Sequence, residues 1–363
     1  MVCMENIDNK KRIAVIGAGN GGCAIAGHLA MMGHEVVLYS YFDSEIEKLR
    51  VSKTIELTGV ISGVGKLHRV TSNIEEAICN AEIIMIVTIA NVHGELAKQM
   101  SRYLSDGQLV VLNPGRTGGA IEFKVALDSV GFDKKIYLAE AQTLIYACRL
   151  AGDALVNIIG MKERVMLSTL PASDTSYVLK ILSSLYHCFI PVENVLVTSL
   201  ENIGAIFHPC VVLFNAATIE RGTQFYFYRD MTRRVAEFIE MFDKERINVG
   251  KAYGIELMPV KEWISYSYDK IEGETLLERM RNNPAYYNIK APVSIESRQL
   301  LEDIPTGLVP IFELGQLKNV DMPLFQSIIR ICSTLLGKDF ITEGRTLKKM
   351  GIDSLSDVFK IIG

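Results

Sequence analysis

KRIAVIGAGNGGCAIAGHLAMMG, Lys11–Gly33, is the stretch that decides the fold. A charged pair leads into the apolar run Ile13–Ile16, then comes the glycine-rich turn Gly17–Gly22, then a stretch with helical spacing that ends near Gly33. This reads as a strand, a tight turn and a helix. Gly17, Gly19 and Gly22 occupy the three glycine positions of G-x-G-x-x-G, and each has a physical task. Gly17 permits the turn, Gly19 removes a side chain from the path of a pyrophosphate, and Gly22 lets the helix approach the strand closely. Asn20 and Gly21 complete the turn, and the helix N-terminus offers unpaired N–H groups and a partial positive charge to the phosphates. Glycine-rich turns also occur where nothing binds. Here the motif follows a strand, opens a helix and lies near the chain start, which favours a dinucleotide site.

Working outward, Val36–Tyr39 supplies a second parallel strand, and Thr54–Thr71 reads as a hairpin with Gly59, Gly63 and Gly65 as turn residues. The unit then repeats as helix Asn73–Cys79, strand Ile83–Val87, helix Val92–Leu104 and strand Gln108–Leu112. Lys135–Leu138 and Arg164–Leu170 are further strands, the second followed by a helix that Ser173 or Asp174 would cap. Such alternation predicts a parallel sheet with helices on both faces. Beyond Pro191 the spacing turns helical, notably in Leu200–Arg221 and Thr232–Tyr253. The expected fold is α/β, with an N-terminal Rossmann domain over residues 1–190 that binds NAD(H) or NADP(H), and a mainly helical C-terminal domain over residues 191–363.

The bulk properties agree with a two-domain globular enzyme: 363 residues, 49% hydrophobic and 22% charged, with a formal charge of -4. That balance gives no electrostatic reason to expect nucleic acid. The basic cluster Arg229–Arg234 reads as a solvated helix face. Residues 1–10, MVCMENIDNK, hold no apolar run ahead of a cleavage site, and apolar stretches such as Ile83–Ala90 fall short of the roughly 20 residues a membrane helix needs. A cytoplasmic protein with no membrane partner is expected. Seven cysteines without a C-x-x-C pair or metal-ligand spacing read as reduced, mostly buried thiols, with no metal site.

Cofactor choice turns on the end of the second strand, where a carboxylate would bond the ribose 2′-hydroxyl of NAD. Ser40 stands there, followed by Tyr41, while Asp43 reads as the start of the next helix. No arginine sits beside Ser40 to hold a 2′-phosphate, and the missing carboxylate leans the reading slightly to NADP(H). For the reaction, three stretches stand out. NPGRTGG, Asn113–Gly119, follows a strand, so its glycines let backbone approach a ligand, or simply turn the chain. In AEAQTLIYACR, Ala139–Arg149, the residues Glu140, Gln142 and Thr143 either bind a polar substrate or cap and satisfy backbone. ENIGAIFHPC carries His208, and SRQLLEDIPTGLVP carries Arg298 and Asp303. Alone, His208 reads as a hydrogen-bonded core histidine, and Trp263, the single tryptophan, as packing rather than a pocket wall.

GAGNGG, NPGRTGG, AEAQTLIYACR, NIGAIFHP and LEDIPTGLVP, in this order, resemble the motifs of the opine dehydrogenases, the octopine and nopaline dehydrogenase family. The resemblance covers most of the chain. It implies an enzyme that condenses an amino acid with a 2-oxo acid such as pyruvate and reduces the imine with NAD(P)H. It further implies that His208 and Asp303 form the acid/base pair, that Arg298, five residues before Asp303, holds the oxo-acid carboxylate, and that Glu140, Gln142 and Thr143 contact the amino acid. The chemistry suits these residue types: one group must accept a proton from the amine and return one as water leaves, a task for histidine near neutral pH. A guanidinium grips a carboxylate through two parallel bonds. The other readings are a 2-oxo acid or phosphorylated-ketone reductase of the same layout, and a non-catalytic dinucleotide sensor. Small molecules are the expected partners, with monomer and homodimer both open.

Overall fold

β1 (Arg12–Ile16) lies within an eight-stranded sheet, and its residues Ile13–Ile16 are buried on both faces, the condition that demands an unbroken apolar run. The computed structural model describes residues 10–362; the expectation for the N-terminus rests largely on residues 1–9, outside the described residues. The other strands are β2 (Glu35–Tyr39), β3 (Thr54–Gly59), β4 (Gly63–Lys66), β5 (Arg69–Thr71), β6 (Ile83–Ile86), β7 (Leu109–Leu112), β8 (Tyr137–Ala141), β9 (Tyr146–Gly152), β10 (Leu155–Met161), β11 (Val165–Thr169) and β12 (Phe189–Pro191). The large sheet runs β12-β11-β8-β7-β6-β1-β2-β5. The six strands from β8 to β5 are mutually parallel, and β11 pairs antiparallel to β8. The chain builds outward from β1 through β2 to β5, then crosses to β6 on the other side. The crevice at that reversal is where such sheets bind ligands.

The hairpin expected over Thr54–Thr71 is shorter than that. It is β3 and β4 alone, while β5 leaves to pair with β2 in the large sheet. Gly65 lies inside β4 rather than in a turn, because a Cβ there would stand 2.1 Å from the Gly27 carbonyl oxygen of the first helix, Asn20–Met31. β9 and β10, not anticipated from the sequence, complete a second sheet of order β4-β3-β10-β9.

After β12 the structure is helical. The continuous stretch expected over Leu200–Arg221 is broken into Val195–Leu200, Ile203–Phe214 and Ala216–Glu220. Asn202 interrupts it by turning its side chain to accept from Ala205 N at 3.4 Å, an N-cap in mid-sequence. Residues 195–214 are long and apolar enough to cross a membrane, contrary to the expectation that every apolar run falls short, but 89% of that stretch is buried in the helical core. The 20-residue helix Arg233–Ala252, capped by Thr232, packs beside it. Its buried Arg246 donates to Asp243 (2.7 Å), Glu201 (3.2 Å) and the Leu200 carbonyl (3.0 Å), which ties the helix to the break.

Two local expectations are corrected. Asp174 occupies the cap position of Thr175–Leu182 but makes no side-chain cap bond, and Ser173 makes none either; the Thr175 hydroxyl instead accepts from Thr169 N at 3.1 Å. The basic cluster is not one helix face. Arg229 sits in the preceding turn with its guanidinium 3.4 Å from the Tyr226 ring centroid, while Arg233 and Arg234 open the helix and pair with Glu237. The six described cysteines are free, five of them buried.

Candidate active site

A cleft of about 1220 Å³ opens where the carboxyl ends of β1, β2 and β6 face the helices that follow β12. On the sheet side, Gly17 adopts φ +114°, and a Cβ there would stand 3.0 Å from the Val87 carbonyl oxygen, so a side chain is excluded twice over. At Gly22 a Cβ would lie 1.7 Å from the Gly17 carbonyl oxygen, which is how closely the helix is drawn onto the turn. Gly19 differs: a Cβ there would meet no protein atom within 4 Å, yet the residue lines the cleft. Protein packing does not require glycine at that point; room for a ligand does. Asn20 and Gly21 line the same wall, with the Asn20 side chain accepting from Leu150 N at 2.7 Å. Ser40, also on the wall, donates its hydroxyl to Glu45 at 2.6 Å. The residues present suit a bound dinucleotide.

On the helical side, His208 projects from the helix Ile203–Phe214 with 18% of its side chain exposed. Its Nδ1 is 2.7 Å from Asp303 Oδ2 and its Nε2 is 3.1 Å from the Tyr228 hydroxyl. With Asp303 ionised, Nδ1 carries the proton and donates it to the carboxylate; Nε2 is left with a lone pair that accepts from Tyr228. Asp303 is fully buried and leads into a π-helical turn, Ile304–Leu308, an element that often marks functional sites. Its second oxygen faces Arg116 Nη1 at 3.0 Å, an ion pair without hydrogen-bond alignment. Burial alone would raise the Asp303 carboxyl, but Arg116 and His208 together hold it below the usual carboxylate range. Burial likewise opposes the Arg116 cation, which Asp303 and Glu302 more than restore.

Glu302 links the two sides. It accepts from Ala90 N (3.0 Å), and it lies 3.4 Å from Arg116 and 3.2 Å from Arg298. Arg298 keeps 60% of its side chain exposed and lines the cleft. Gln142 and Thr143 line it too; Gln142 donates to the Glu201 carbonyl while its buried Oε1 has no protein partner. Glu140 does not. It is fully buried beneath the turn, where it accepts from Ala120 N (2.8 Å), Thr198 (2.6 Å) and Ser199 (2.9 Å), so it satisfies donors inside the protein. Its expected substrate contact is corrected for that reason.

Several cleft residues escaped the sequence reading. Arg116 stood in the quoted NPGRTGG stretch as its one charged residue, at φ +62°, and that was the available signal. Lys162 closes the apolar strand β10 and is buried, donating to the Leu144 carbonyl at 2.7 Å; burial pushes its ammonium down to about 8. Tyr228 and Glu45 carried no signal. Trp263 packs and also lines the cleft, beside Tyr268, Tyr286 and Phe227.

Residues 191–336 match the family model for the NAD/NADP octopine/nopaline dehydrogenase alpha-helical domain, and residues 12–115 match the NAD-dependent glycerol-3-phosphate dehydrogenase N-terminus. An opine dehydrogenase from Arthrobacter sp. (strain 1C) is 36% identical over 348 residues, covering 95% of this chain and 96% of that one. Among solved structures, octopine dehydrogenase with NADH and L-arginine superposes with a TM-score of 0.78 at 18% identity, covering 96% of this chain and 98% of that one. Yersinopine dehydrogenase bound to NADP+ gives 0.70 at 14% identity, over 95% and 98%.

Proposed function

The chain belongs to the opine dehydrogenases, NAD(P)-dependent oxidoreductases acting on CH–NH donors, and from that premise we propose that it joins an amino acid with an apolar side chain to pyruvate or a similar 2-oxo acid, giving a secondary amine dicarboxylate. The observation that carries the reading is the His208–Asp303 pair, set in the same cleft as the glycine turn and Arg298.

His208 takes a proton from the incoming ammonium, freeing the amine to attack the keto carbon. It then returns a proton to the carbinolamine hydroxyl, which leaves as water to give the imine. Asp303 holds the imidazole in the tautomer that puts the lone pair on Nε2, where the substrate takes the place of the Tyr228 hydroxyl, and stabilises the cation formed in between. Arg116 keeps Asp303 charged. Arg298 grips the oxo-acid carboxylate, while Lys162 and Arg149, also on the cleft wall, face the second carboxylate of the product. Gln142 Oε1, buried without a protein partner, accepts from the substrate amine. The dinucleotide, when bound along the glycine turn, supplies the hydride that reduces the imine.

The donor side chain lies against Phe227, Trp263, Ile264, Tyr268 and Tyr286. Glu302, the carboxylate on the helical wall of the cleft, is already paired with Arg116 and Arg298, so a guanidinium side chain would find no free anion there. The test mixes purified protein with pyruvate, NADH or NADPH, and single amino acids, following cofactor oxidation and product mass. Oxidation that requires an apolar amino acid, with a product of the condensed mass, is the expected result. Oxidation with pyruvate alone would make the protein a simple oxo-acid reductase. His208→Asn should lower kcat by roughly 10²- to 10⁴-fold with dinucleotide binding retained.

A further inference from the structure

We propose that this chain selects NAD(H) over NADP(H), and that Glu45, held in place by Ser40, is the residue that makes the selection. The inference rests on the dinucleotide-dependent reading above and adds which dinucleotide is taken.

In a doubly wound sheet the adenosine ribose lies over the end of the second strand, where an acidic side chain bonds its hydroxyls and repels a 2′-phosphate. Here β2 ends at Tyr39, and the next residue is Ser40. Ser40 is not free to serve the ligand. It is buried, its N–H donates to the Thr71 carbonyl at 3.2 Å, its hydroxyl accepts from Phe42 N at 3.3 Å, and the same hydroxyl donates to Glu45 Oε2 at 2.6 Å. Glu45 belongs to the first turn of the helix Asp43–Ser52, is exposed, and lines the cleft together with Ser40, Tyr41 and Phe42. The carboxylate missing from the strand end is therefore delivered from the next helix, five residues later in sequence but within one hydrogen bond in space. A carboxylate offers about four acceptor positions, and Ser40 takes one of them, which leaves capacity for ribose hydroxyls.

The cations are as informative as the carboxylate. Those lining the cleft are Arg116, Arg149, Lys162, Lys290 and Arg298, and none belongs to β2 or to the helix that follows it. Arg50, on that helix, is committed to Asp43 at 2.5 Å and to the Ser72 hydroxyl at 3.2 Å. Lys48, the other cation on that helix, is paired with Asp153, so a 2′-phosphate would meet a positioned carboxylate with no free cation on these two elements to offset it. This reverses the slight lean to NADP(H) drawn from the sequence, where the strand end holds no acid and Asp43, the first carboxylate after it, proves to be bound to Arg50.

The experiment titrates the purified full chain with NADH and with NADPH in the absence of any second substrate, following fluorescence of the reduced nicotinamide. Hydrogen bonds to a charged group are worth enough to predict roughly 10- to 100-fold tighter NADH binding. In Glu45→Gln that ratio should collapse to within a few-fold, and Glu45→Arg should invert it. Ser40→Ala should fall between, since it releases the carboxylate without removing it. NADPH binding as tightly as NADH in the unaltered protein, or a ratio that Glu45→Gln leaves unchanged, would overturn the proposal. Because the readout is binding, a preference for NADH without amino-acid-dependent oxidation would leave this inference standing and sink the opine reading instead.

Discussion

Replacing Arg116 by glutamine tests whether the charge behind the His208–Asp303 pair acts on catalysis or only on stability. The guanidinium is almost fully buried and lies 3.0 Å from Asp303 and 3.4 Å from Glu302, so the substitution leaves two buried carboxylates short of a counter-charge. Breaking a buried ion pair in this way costs about 3–5 kcal/mol. Each carboxylate keeps other partners, His208 at 2.7 Å for Asp303, and Arg298 at 3.2 Å with Ala90 N at 3.0 Å for Glu302, which argues for the low end, about 3 kcal/mol. At roughly 2 °C or more per kcal/mol, Tm should fall by about 6 °C or more.

The pH dependence separates the two roles. Asp303 is held below the ordinary carboxylate range, so its contribution to stability is present above about pH 4, the unfolded value, and is lost as pH falls through the folded one. Without Arg116, burial is offset only by His208 and, more weakly, Arg298, and the carboxyl moves up. The acid side of the kcat/KM profile should then shift to higher pH, and Arg116→Lys should shift it part of the way back. Activity is normalised to the folded fraction from NADH binding. If the variant melts lower but its acid limb stays where it was, Arg116 is structural and is not what keeps Asp303 charged.

Three further outcomes follow from the same geometry. Tyr228→Phe removes the hydroxyl at His208 Nε2 but keeps the ring stacked on Tyr286 at 4.5 Å; a single hydrogen bond of about 1 kcal/mol predicts a change in kcat below about tenfold, and a loss as large as that of His208→Asn would make Tyr228 the proton donor. Glu140→Ala strands two buried donors, Ala120 N and the Ser199 hydroxyl, while the Thr198 hydroxyl keeps the Val195 carbonyl at 3.0 Å, and should cost about 3 kcal/mol in urea unfolding, with the amino-acid KM unchanged among folded molecules; a selective rise in that KM would restore its substrate role. Lys162, pushed by burial down to about 8 against an ordinary value near 10.4, destabilises the fold fully below pH 8 and progressively less as pH climbs to about 10.4. Lys162→Met should therefore be more stable at pH 7 by about 1–3 kcal/mol and lose that alkaline rise in urea midpoints, while its amino-acid KM increases.

Legibility in the sequence followed the range of the interactions concerned. The strand, turn and helix of Lys11–Gly33 were readable because each feature there is local: period, glycine position and helix start all lie within one short segment. His208, Arg298 and Asp303 were named through the motif resemblance, and the fold brings His208 against Asp303 across 95 residues of chain. Glu140 looked like a site residue because its type and its place at a strand end fit. What moved it was burial, which depends on Thr198 and Ser199 arriving from the helix Val195–Leu200. Glu45 failed in the opposite direction. The rule looked along the strand, and the structure reached the same point through a helix turn. β9 and β10 were missed because their apolar residues follow directly on the motif that drew attention, and their partner β3 is about 100 residues away.

The placement of the carboxylates also says how the two halves of the molecule act on one reaction. Glu302 and Asp303 are consecutive residues on the helical side, yet their partners Ala90 and Arg116 come from loops that follow β6 and β7 on the dinucleotide side. A third tie crosses nearby, since Arg345, near the C-terminus, donates to the carbonyls of Ala90, Gly115 and Thr117 and to Glu122. The charge on Asp303, though not its bond to His208, is therefore held in part by Arg116, a side chain from a loop of the sheet that carries the glycine turn. A relative movement of the halves at this seam would disturb the Arg116 and Ala90 contacts before it disturbed the His208–Asp303 bond, because that bond lies wholly within the helical side. The acid/base pair can thus survive opening of the cleft while its electrostatic tuning does not, and this is the physical reason that the pH profile of Arg116→Gln, rather than its activity at one pH, is the informative quantity.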